Sequence, residues 1–269
     1  MKHILSTLAA LAFATSAMAQ DGEIIHDGEY RFLEAQFGEQ WGAQDSEIDA
    51  RLAEIRDANG GQPPNILYIL IDDVSFGQMG SRTMNYVTGF DTPNINEFAA
   101  EGMQLMRMYT EPSCTPTRVA QMTGRLPVRM GMGNTQVDIA GEGLPGDEVT
   151  LAEVLKEAGY ATSHIGKWHM GDNYPLRAMD QGFQESLVHR GGGIGQPSDP
   201  IGAEGKYTDP TLIKNGVETP MKGYCTDIYF DAAMDFISES TKRNKNFFTY
   251  IATNAPHGPF HDVPQDLYE

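Results

Sequence analysis

Four stretches of the chain have the length and apolar composition of β-strands. Residues 65–71 are almost continuously apolar, which is typical of a central strand buried on both faces of a parallel sheet. Residues 160–166 and 246–253 are predicted as two further strands, and residues 103–109 are a fourth candidate. Capping residues and apolar periodicity predict helices over residues 92–102, from about residue 115, and over residues 149–158 and 227–239.

The first 62 residues differ in composition from the rest. Residues 1–19 combine a short basic start, an apolar run and a small-x-small cleavage sequence, and they predict a secretory signal peptide. The apolar run is too short to span a bilayer, so no membrane anchor is expected. Residues 20–62 predict a helical extension with a capping box at Ser46 and Asp49, packed on the main domain. The protein is therefore expected to be periplasmic or secreted.

The charge of the chain disfavours one broad class of function. There are 37 acidic and 19 basic residues, whereas a nucleic-acid-binding surface needs a basic stripe. No nucleic-acid partner is therefore expected. The chain has 269 residues and a 40% hydrophobic composition, which is enough for one large domain with a sizeable core.

Two adjacent carboxylates follow the first predicted strand. Asp72 and Asp73 come directly after the run at residues 65–71, and ligands of open α/β sheets bind beyond the carboxyl ends of strands. Adjacent carboxylates repel each other unless a cation or a basic group compensates them. Their hard oxygen atoms suit calcium or magnesium. The alternative is a solvated turn that carries two surface acids.

A cysteine lies at the predicted start of the helix near residue 115. Pro116 suits a first helical turn, and a helix N-terminus favours an anion at Cys114. Arg118 lies one turn further along the same face. This setting is typical of an activated sulfur or its derivative. The alternative is a disulfide between Cys114 and Cys225, which an oxidising compartment would permit.

Basic residues follow the two later predicted strands. Lys167 and His169 come after residues 160–166, and His257 comes after residues 246–253. The glycine-rich segment 189–195 could suggest a dinucleotide-binding loop, but no buried strand is predicted before it and no helix after it. We interpret it as a flexible loop that lies over the site.

The motifs at these positions resemble those of the sulfatase family. Residues 114–118 read Cys-Thr-Pro-Thr-Arg and are followed by Thr-Gly, similar to the first sulfatase signature. Residues 159–169 resemble the second signature in full, and the Asp-Asp pair and the Pro-His-x-Pro sequence at His257 also match. One departure is Gln121, where the family usually keeps an apolar residue, and we expect it to affect helix packing rather than chemistry.

The resemblance implies a fold and a chemistry. The fold would be α/β and alkaline-phosphatase-like, a sandwich with a central, mostly parallel sheet flanked by helices. The activity would be hydrolysis of a sulfate monoester, either a small molecule or a sulfated glycan. A formylglycine-generating enzyme, acting as a transient partner, would convert Cys114 to 3-oxoalanine (formylglycine), whose hydrate is the nucleophile.

The resemblance also implies a role for each candidate residue. Calcium, or magnesium in its place, would contact Asp72, Asp73 and the side chain made from Cys114. The diol anion would be stabilised by Arg118 and Lys167. The imidazole of His169 would take the proton of the second hydroxyl, and His257 would bind a sulfate oxygen. Which sulfate ester is cleaved, and the oligomeric state, are not encoded in these motifs.

The resemblance covers residues 65–261 and implies that part of the family's machinery lies elsewhere. Family members supply further metal ligands and a second lysine from a later segment, and no such pair follows His257. We therefore expect residues 63–269 to be the N-terminal portion of a catalytic domain whose C-terminal part is missing. The 269-residue chain alone is expected to be inactive or weakly active.

Two other functions stay open at this point. A phosphonate or phosphate monoester hydrolase could use the same scaffold, because sulfate and phosphate esters share charge and shape. A non-catalytic exported binding protein would need none of this chemistry, and its Cys114 would be paired with Cys225. Rates on an aryl sulfate and an aryl phosphonate would separate the first alternative from the sulfatase, and an aldehyde or a disulfide at Cys114 would separate the second.

Overall fold

The computed structural model describes residues 28–135, 142–196, 199 and 205–265. The predicted signal peptide lies outside the described residues. The chain divides into two compact units, one ending at Gly60 and one beginning at Gly61. None of the helices in the described part of the chain has both the length and the hydropathy needed to cross a membrane.

The described part of the first unit is a single helix, α1 (Gly28–Ala58). It is longer than predicted, and the capping box expected at Ser46 is wrong because this residue lies inside the helix. Its hydroxyl donates instead to the carbonyl of Gly42, at 2.9 Å. Aromatic rings one turn apart, at Phe37 and Trp41, stack 6.4 Å apart upstream of the predicted start. The helix therefore continues through the residue that resembled a cap.

The second unit is built on a six-stranded sheet with the order β1-β6-β2-β3-β4-β5. Strands β1, β6, β2 and β3 are parallel, and β4 and β5 add an antiparallel edge. This confirms the predicted mostly parallel sheet. The strands are β1 (Ile66–Leu70), β2 (Ala161–Lys167), β3 (Glu185–His189), β4 (Thr211–Lys214), β5 (Val217–Pro220) and β6 (Phe247–Ala252).

Helices cover both faces of this sheet, as predicted. On one face, α4 (Cys114–Thr123) and α5 (Leu151–Glu157) pack against a buried cluster that includes Phe248 and Tyr250. On the other face, α6 (Cys225–Lys242) packs against β2 and β6, and Ile251 belongs to its cluster. Alternate residues of β6 thus enter opposite cores. Two further helices, α2 (Arg82–Thr88) and α3 (Pro93–Glu101), precede α4.

Three sequence-based expectations about strands are wrong. Residues 103–109 form no strand, because no described strand pairs with them. Strand β1 lies at the edge of the described sheet, so alternate side chains stay exposed, including Leu67 at 51%. The glycine-rich segment does follow a strand, β3, whose five residues were too short and too polar to be predicted. No helix follows that segment directly in the described structure, so the dinucleotide motif still fails its structural context.

The buried His164 ring on β2 makes the core beneath α4 and α5 sensitive to acid. It lies 4.9 Å from the ring of Tyr250 and 5.2 Å from that of Trp168, and it is fully buried. Burial lowers the pKa of His164 to about 3, helped by the positive charge of Arg118. The folded protein therefore keeps this imidazole neutral at pH values where the unfolded chain protonates it.

We expect His164→Phe to reduce the loss of stability between pH 7 and pH 5. The folded pKa of His164 lies below its unfolded value, so its contribution to stability falls as the pH falls below about 6.5. At pH 5 this loss is about 2 kcal/mol, and the variant should not show it. Urea unfolding at both pH values measures the difference.

The matched control is Phe248→Leu, which loosens the same aromatic cluster without removing a titratable group. It should lower the free energy of unfolding by the same amount at pH 7 and pH 5. An unchanged pH dependence in His164→Phe would contradict the expectation.

Candidate active site

Strand ends bring the candidate residues to one edge of the sheet. Leu70, the last residue of β1, and Gly166, the residue before the last of β2, are in register with Ala252 of β6, so the chain leaves all three strands at neighbouring positions. The residues that follow are Asp72 and Asp73 after β1, Lys167 and His169 at the end of β2, and His257 after β6. The parallel arrangement therefore gathers side chains that are up to 185 positions apart in sequence.

Three charged side chains form a buried cluster at this edge. The Lys167 Nζ atom lies 2.6 Å from Asp72 Oδ2, and Arg118 Nη2 lies 3.4 Å from Asp72 Oδ1. Arg118 also donates from Nη1 to the carbonyl of Lys167, at 2.7 Å. The three residues are at most 5% exposed. Two cations thus face one carboxylate, an imbalance that favours an additional anion.

The pKa of Lys167 reflects this environment. Burial lowers it, and so does the charge of Arg118, whereas Asp72 and Cys114 act in the opposite direction. Arg118 on α4 is bonded to the main chain of Lys167, so the first turns of this helix lie next to the end of β2.

Cys114 is the first residue of α4 and is half-buried. Both it and Cys225 are free, which contradicts the disulfide of the binding-protein hypothesis. The physical reason is their placement, because Cys225 is fully buried in the core beneath α6, whereas α4 packs on the opposite face. Gln121, further along α4, accepts a hydrogen bond from the Tyr250 hydroxyl at 3.3 Å. The polar side chain of Gln121 therefore has a hydrogen-bond partner on β6.

Two of the candidate residues have left-handed backbone conformations. Asp73 and His169 both have φ of 57°, a region that non-glycine residues adopt at a cost. The side chain of Asp73 is 59% exposed, and its Oδ2 lies 3.8 Å from His257 Nε2. His169 is only 4% exposed. Backbone strain at such positions is frequent where a side chain must be aimed at a site.

The glycine-rich segment lies against the site. A Cβ atom on Gly192 would stand 2.8 Å from Cε1 of His169, so the backbone there packs directly on the imidazole. The Gly191 amide donates to Asp172 Oδ2 at 2.8 Å. Asp172 and Asn254 were not singled out from the sequence. Asn254 follows β6 by two positions, so the strand-end argument that found Asp72 could also have found it.

Calcium suits the kind of ligand that this site offers. No group of three or more His, Cys, Asp or Glu residues with metal-binding geometry occurs among the described residues. Asp72 and Asp73 provide hard oxygen atoms, but both oxygens of Asp72 already contact cationic groups. Calcium takes six to eight oxygen ligands. The described residues therefore fit calcium in the chemistry of their oxygen atoms, but they are too few to complete a calcium site.

Curated relatives of this chain are sulfatases. The chain is 34% identical over 224 residues to N-acetylgalactosamine-6-sulfatase of Canis lupus familiaris, covering 75% of this chain and 41% of the relative. It is 36% identical over 216 residues to arylsulfatase A of Bos taurus, covering 73% and 42%. The chain thus spans less than half the length of these relatives.

Solved structures and a family profile lead to the same assignment. The fold is similar to the crystal structure of Ps i-CgsB in complex with k-i-k-neocarrahexaose, with a TM-score of 0.63, 27% identity, and coverage of 77% of this chain and 48% of that one. It is also similar to the PsFucS1 sulfatase from Pseudoalteromonas sp., with a TM-score of 0.65, 24% identity, and coverage of 83% and 50%. The sulfatase family profile matches residues 64–269. The chain therefore belongs to the sulfatase family.

Proposed function

We propose that this chain carries the nucleophile and most of the anion-binding groups of a sulfate ester hydrolase. The observation that supports this most directly is the buried cluster of Lys167, Arg118 and Asp72 beside the start of α4. It has one more cation than it has carboxylates, and it is closed to water, so electrostatic attraction for an anion is strong there. A sulfate group with its developing charge suits such a site.

The proposed nucleophile is made from Cys114 by a formylglycine-generating enzyme. The hydrated aldehyde supplies one hydroxyl that attacks sulfur and a second that later releases the sulfate. Around it, Lys167 and Arg118 stabilise negative charge on oxygen, and they are preorganised because both are already held by Asp72. A thiol has no second hydroxyl with which to release the sulfate. This explains why the encoded cysteine is converted to an aldehyde before it acts.

The two histidines have separate tasks in this proposal. His169 accepts the proton of the second hydroxyl, and the burial of its side chain, 4% exposed, supports this role. His257 contacts a sulfate oxygen near the leaving group. Asp72 and Asp73 would hold calcium, which would supply positive charge for sulfate oxygens.

The proposed substrate is a sulfated sugar. One structural relative, at 27% identity, is described in complex with D-glucosamine-2-N,6-O-disulfate, and another in complex with k-i-k-neocarrahexaose. The curated relatives include sulfatases named for N-acetylgalactosamine-6-sulfate. The predicted signal peptide at residues 1–19 agrees with action outside the cytoplasm, in the periplasm or beyond.

We expect the product of the complete reading frame to hydrolyse an aryl sulfate faster than an aryl phosphonate. The protein should be produced with a formylglycine-generating enzyme and assayed with calcium. The charge balance at Lys167, Arg118 and Asp72 suits a singly charged anion of either ester, so the expected preference rests on membership of the sulfatase family. Initial rates on the two esters measure the preference.

The same preparation made without the formylglycine-generating enzyme is the control. It should have the same fold and a much lower rate. Faster phosphonate hydrolysis would favour the phosphonate or phosphate monoester hydrolase instead, and equal rates with and without the aldehyde would contradict the proposed nucleophile.

A further inference from the structure

The segment Gly191–Gln196, here called the glycine strap, passes over both candidate histidines. At Gly192 its backbone packs on the His169 ring, where an added Cβ would meet Cε1 at 2.8 Å and Nε2 at 2.9 Å. At Gly193 an added Cβ would stand 3.3 Å from Nδ1 of His257. A side chain is thus excluded at Gly192 and would be crowded at Gly193.

The strap is held at its ends by bonds away from the histidines. The amide of Gly191 donates to Asp172 Oδ2 at 2.8 Å. At the other end, Gln196 Nε2 donates to the carbonyl of Gly258 at 3.2 Å. In the middle, the carbonyl of Ile194 lies 3.2 Å from His261 Nε2, so these contacts hold the carbonyl of Ile194 but not its amide.

The middle of the strap is bonded to Asn254. The Ile194 amide donates to Asn254 Oδ1 at 3.3 Å, and the same oxygen would be 3.1 Å from a Gly193 Cβ. The main chain of Asn254 is bonded as well, because its carbonyl accepts the amide of His257 at 2.9 Å. One residue therefore links the strap to the turn that carries His257.

Asn254 is fully buried although half of its amide is unused. Its exposure is 0%, and its Nδ2 has no hydrogen-bond partner within the described ranges. An apolar side chain would avoid burying this donor, so packing alone does not account for an asparagine here. The acceptor oxygen forms the hydrogen bond with the Ile194 amide of the strap, and an apolar side chain could not form this bond.

We propose that Asn254 is a positioning residue for His169 and His257. The hydrogen bond between the Ile194 amide and Asn254 Oδ1 keeps the backbone at Gly192 in contact with the His169 ring. The main-chain carbonyl of Asn254 accepts the His257 amide and so fixes the start of the turn that carries His257. The inference rests on the proposed function for the roles of the two histidines. Asn254 acts through them and does not itself contact substrate.

Proton transfer requires the imidazole of His169 to be held in one position, and the contact with the strap can provide this. A general base must hold its ring nitrogen within hydrogen-bond reach of the proton that it takes. A displacement of about 1 Å can reduce the rate about 100-fold. A buried ring that rests against glycine backbone on one side cannot turn freely. The strap thus limits the His169 imidazole to one orientation, provided that its middle does not lift away.

The test is an NMR measurement of the contact between the strap and His169. In the full chain with ¹³C-labelled histidine, the wild type should show an NOE between the Gly192 α-protons and His169 Hε1. Asn254→Ala should lose this NOE and broaden the His169 ring signals. Asn254→Asp, which retains the acceptor oxygen, should keep the NOE.

Asn65→Ala is the matched control. Asn65 Oδ1 accepts the amide of Phe247 at 3.2 Å, so this variant also loses a bond from an asparagine oxygen to the main chain, but at the opposite end of β6. It should keep the NOE even where its melting temperature falls. If Asn254→Ala does not fold, Asn254→Ser is used, because its shorter side chain cannot reach Ile194.

The proposal is overturned if the folded wild type lacks the NOE. It is also overturned if Asn254→Ala, or Asn254→Ser in its place, keeps the NOE and the sharp ring signals while only its melting temperature falls. No substrate is used in this experiment. Its failure is therefore distinguishable from a failure of sulfate ester hydrolysis.

Discussion

Asp72→Asn is expected to lower the free energy of unfolding by about 3–5 kcal/mol, because it removes the one carboxylate that compensates two buried cations. Lys167 Nζ and Arg118 Nη2 contact its two oxygens at 2.6 and 3.4 Å, and both cationic residues are at most 1% exposed. Asparagine preserves the shape but not the charge. The folded state would then have to bury two positive charges that water solvates in the unfolded chain.

Urea unfolding in the presence of EDTA measures this effect without a contribution from calcium. The control is Asp209→Asn, which removes a carboxylate from an exposed pair with Lys222 whose atoms are 2.9 Å apart. Its unfolding midpoint should not change measurably, because solvent and salt screen such pairs. Equal behaviour of the two variants would mean that the buried cluster is not held by charge.

The position of the site could be predicted because it follows from strand direction. Residues after parallel strands emerge at one edge, so Asp72, Lys167 and His257 had to lie near each other once three strands were recognised. That prediction needed only the apolar runs and the polar residues that end them. It did not need the order β1-β6-β2, which places the last strand between the first two and which the sequence does not reveal.

The interactions within the site could not be predicted in the same way. That Asp72 contacts Lys167 and Arg118 rather than solvent depends on the position of α4 above the sheet, and this is set by packing of Val119 and Met122. Local patterns specify that a helix starts at Cys114, but not where its face points. The buried role of Asp72 is therefore a tertiary property.

Failures of the sequence analysis also have tertiary causes. An apolar run such as residues 103–109 becomes a strand only when a neighbour offers a hydrogen-bonding edge. The five-residue strand β3 is recognisable mainly through its pairing with β2. Likewise, the glycine strap has little pattern of its own, since its conformation is set by bonds to Asp172 and Asn254. Loops of this kind take their structure from the elements beneath them.

Cys114→Ser is expected to reduce steady-state hydrolysis of an aryl sulfate by roughly 10³-fold or more in the product of the complete reading frame. Serine retains an oxygen nucleophile at the start of α4, one turn before Arg118, which is bonded to the main chain of Lys167. Its single hydroxyl can attack sulfur and expel the alcohol. It then has no second hydroxyl to release the sulfate, so the covalent ester should persist.

The measurement is therefore a mass spectrum of the peptide carrying residue 114 after incubation with substrate, together with the amount of alcohol released. At most one alcohol per protein chain should appear, with a stable sulfate ester on the peptide. Cys114→Ala is the control, since it has neither the hydroxyl nor the thiol and should give no adduct. Repeated turnover by Cys114→Ser would contradict the diol mechanism, because it would show that one hydroxyl at the start of α4 is enough both to accept and to release sulfate.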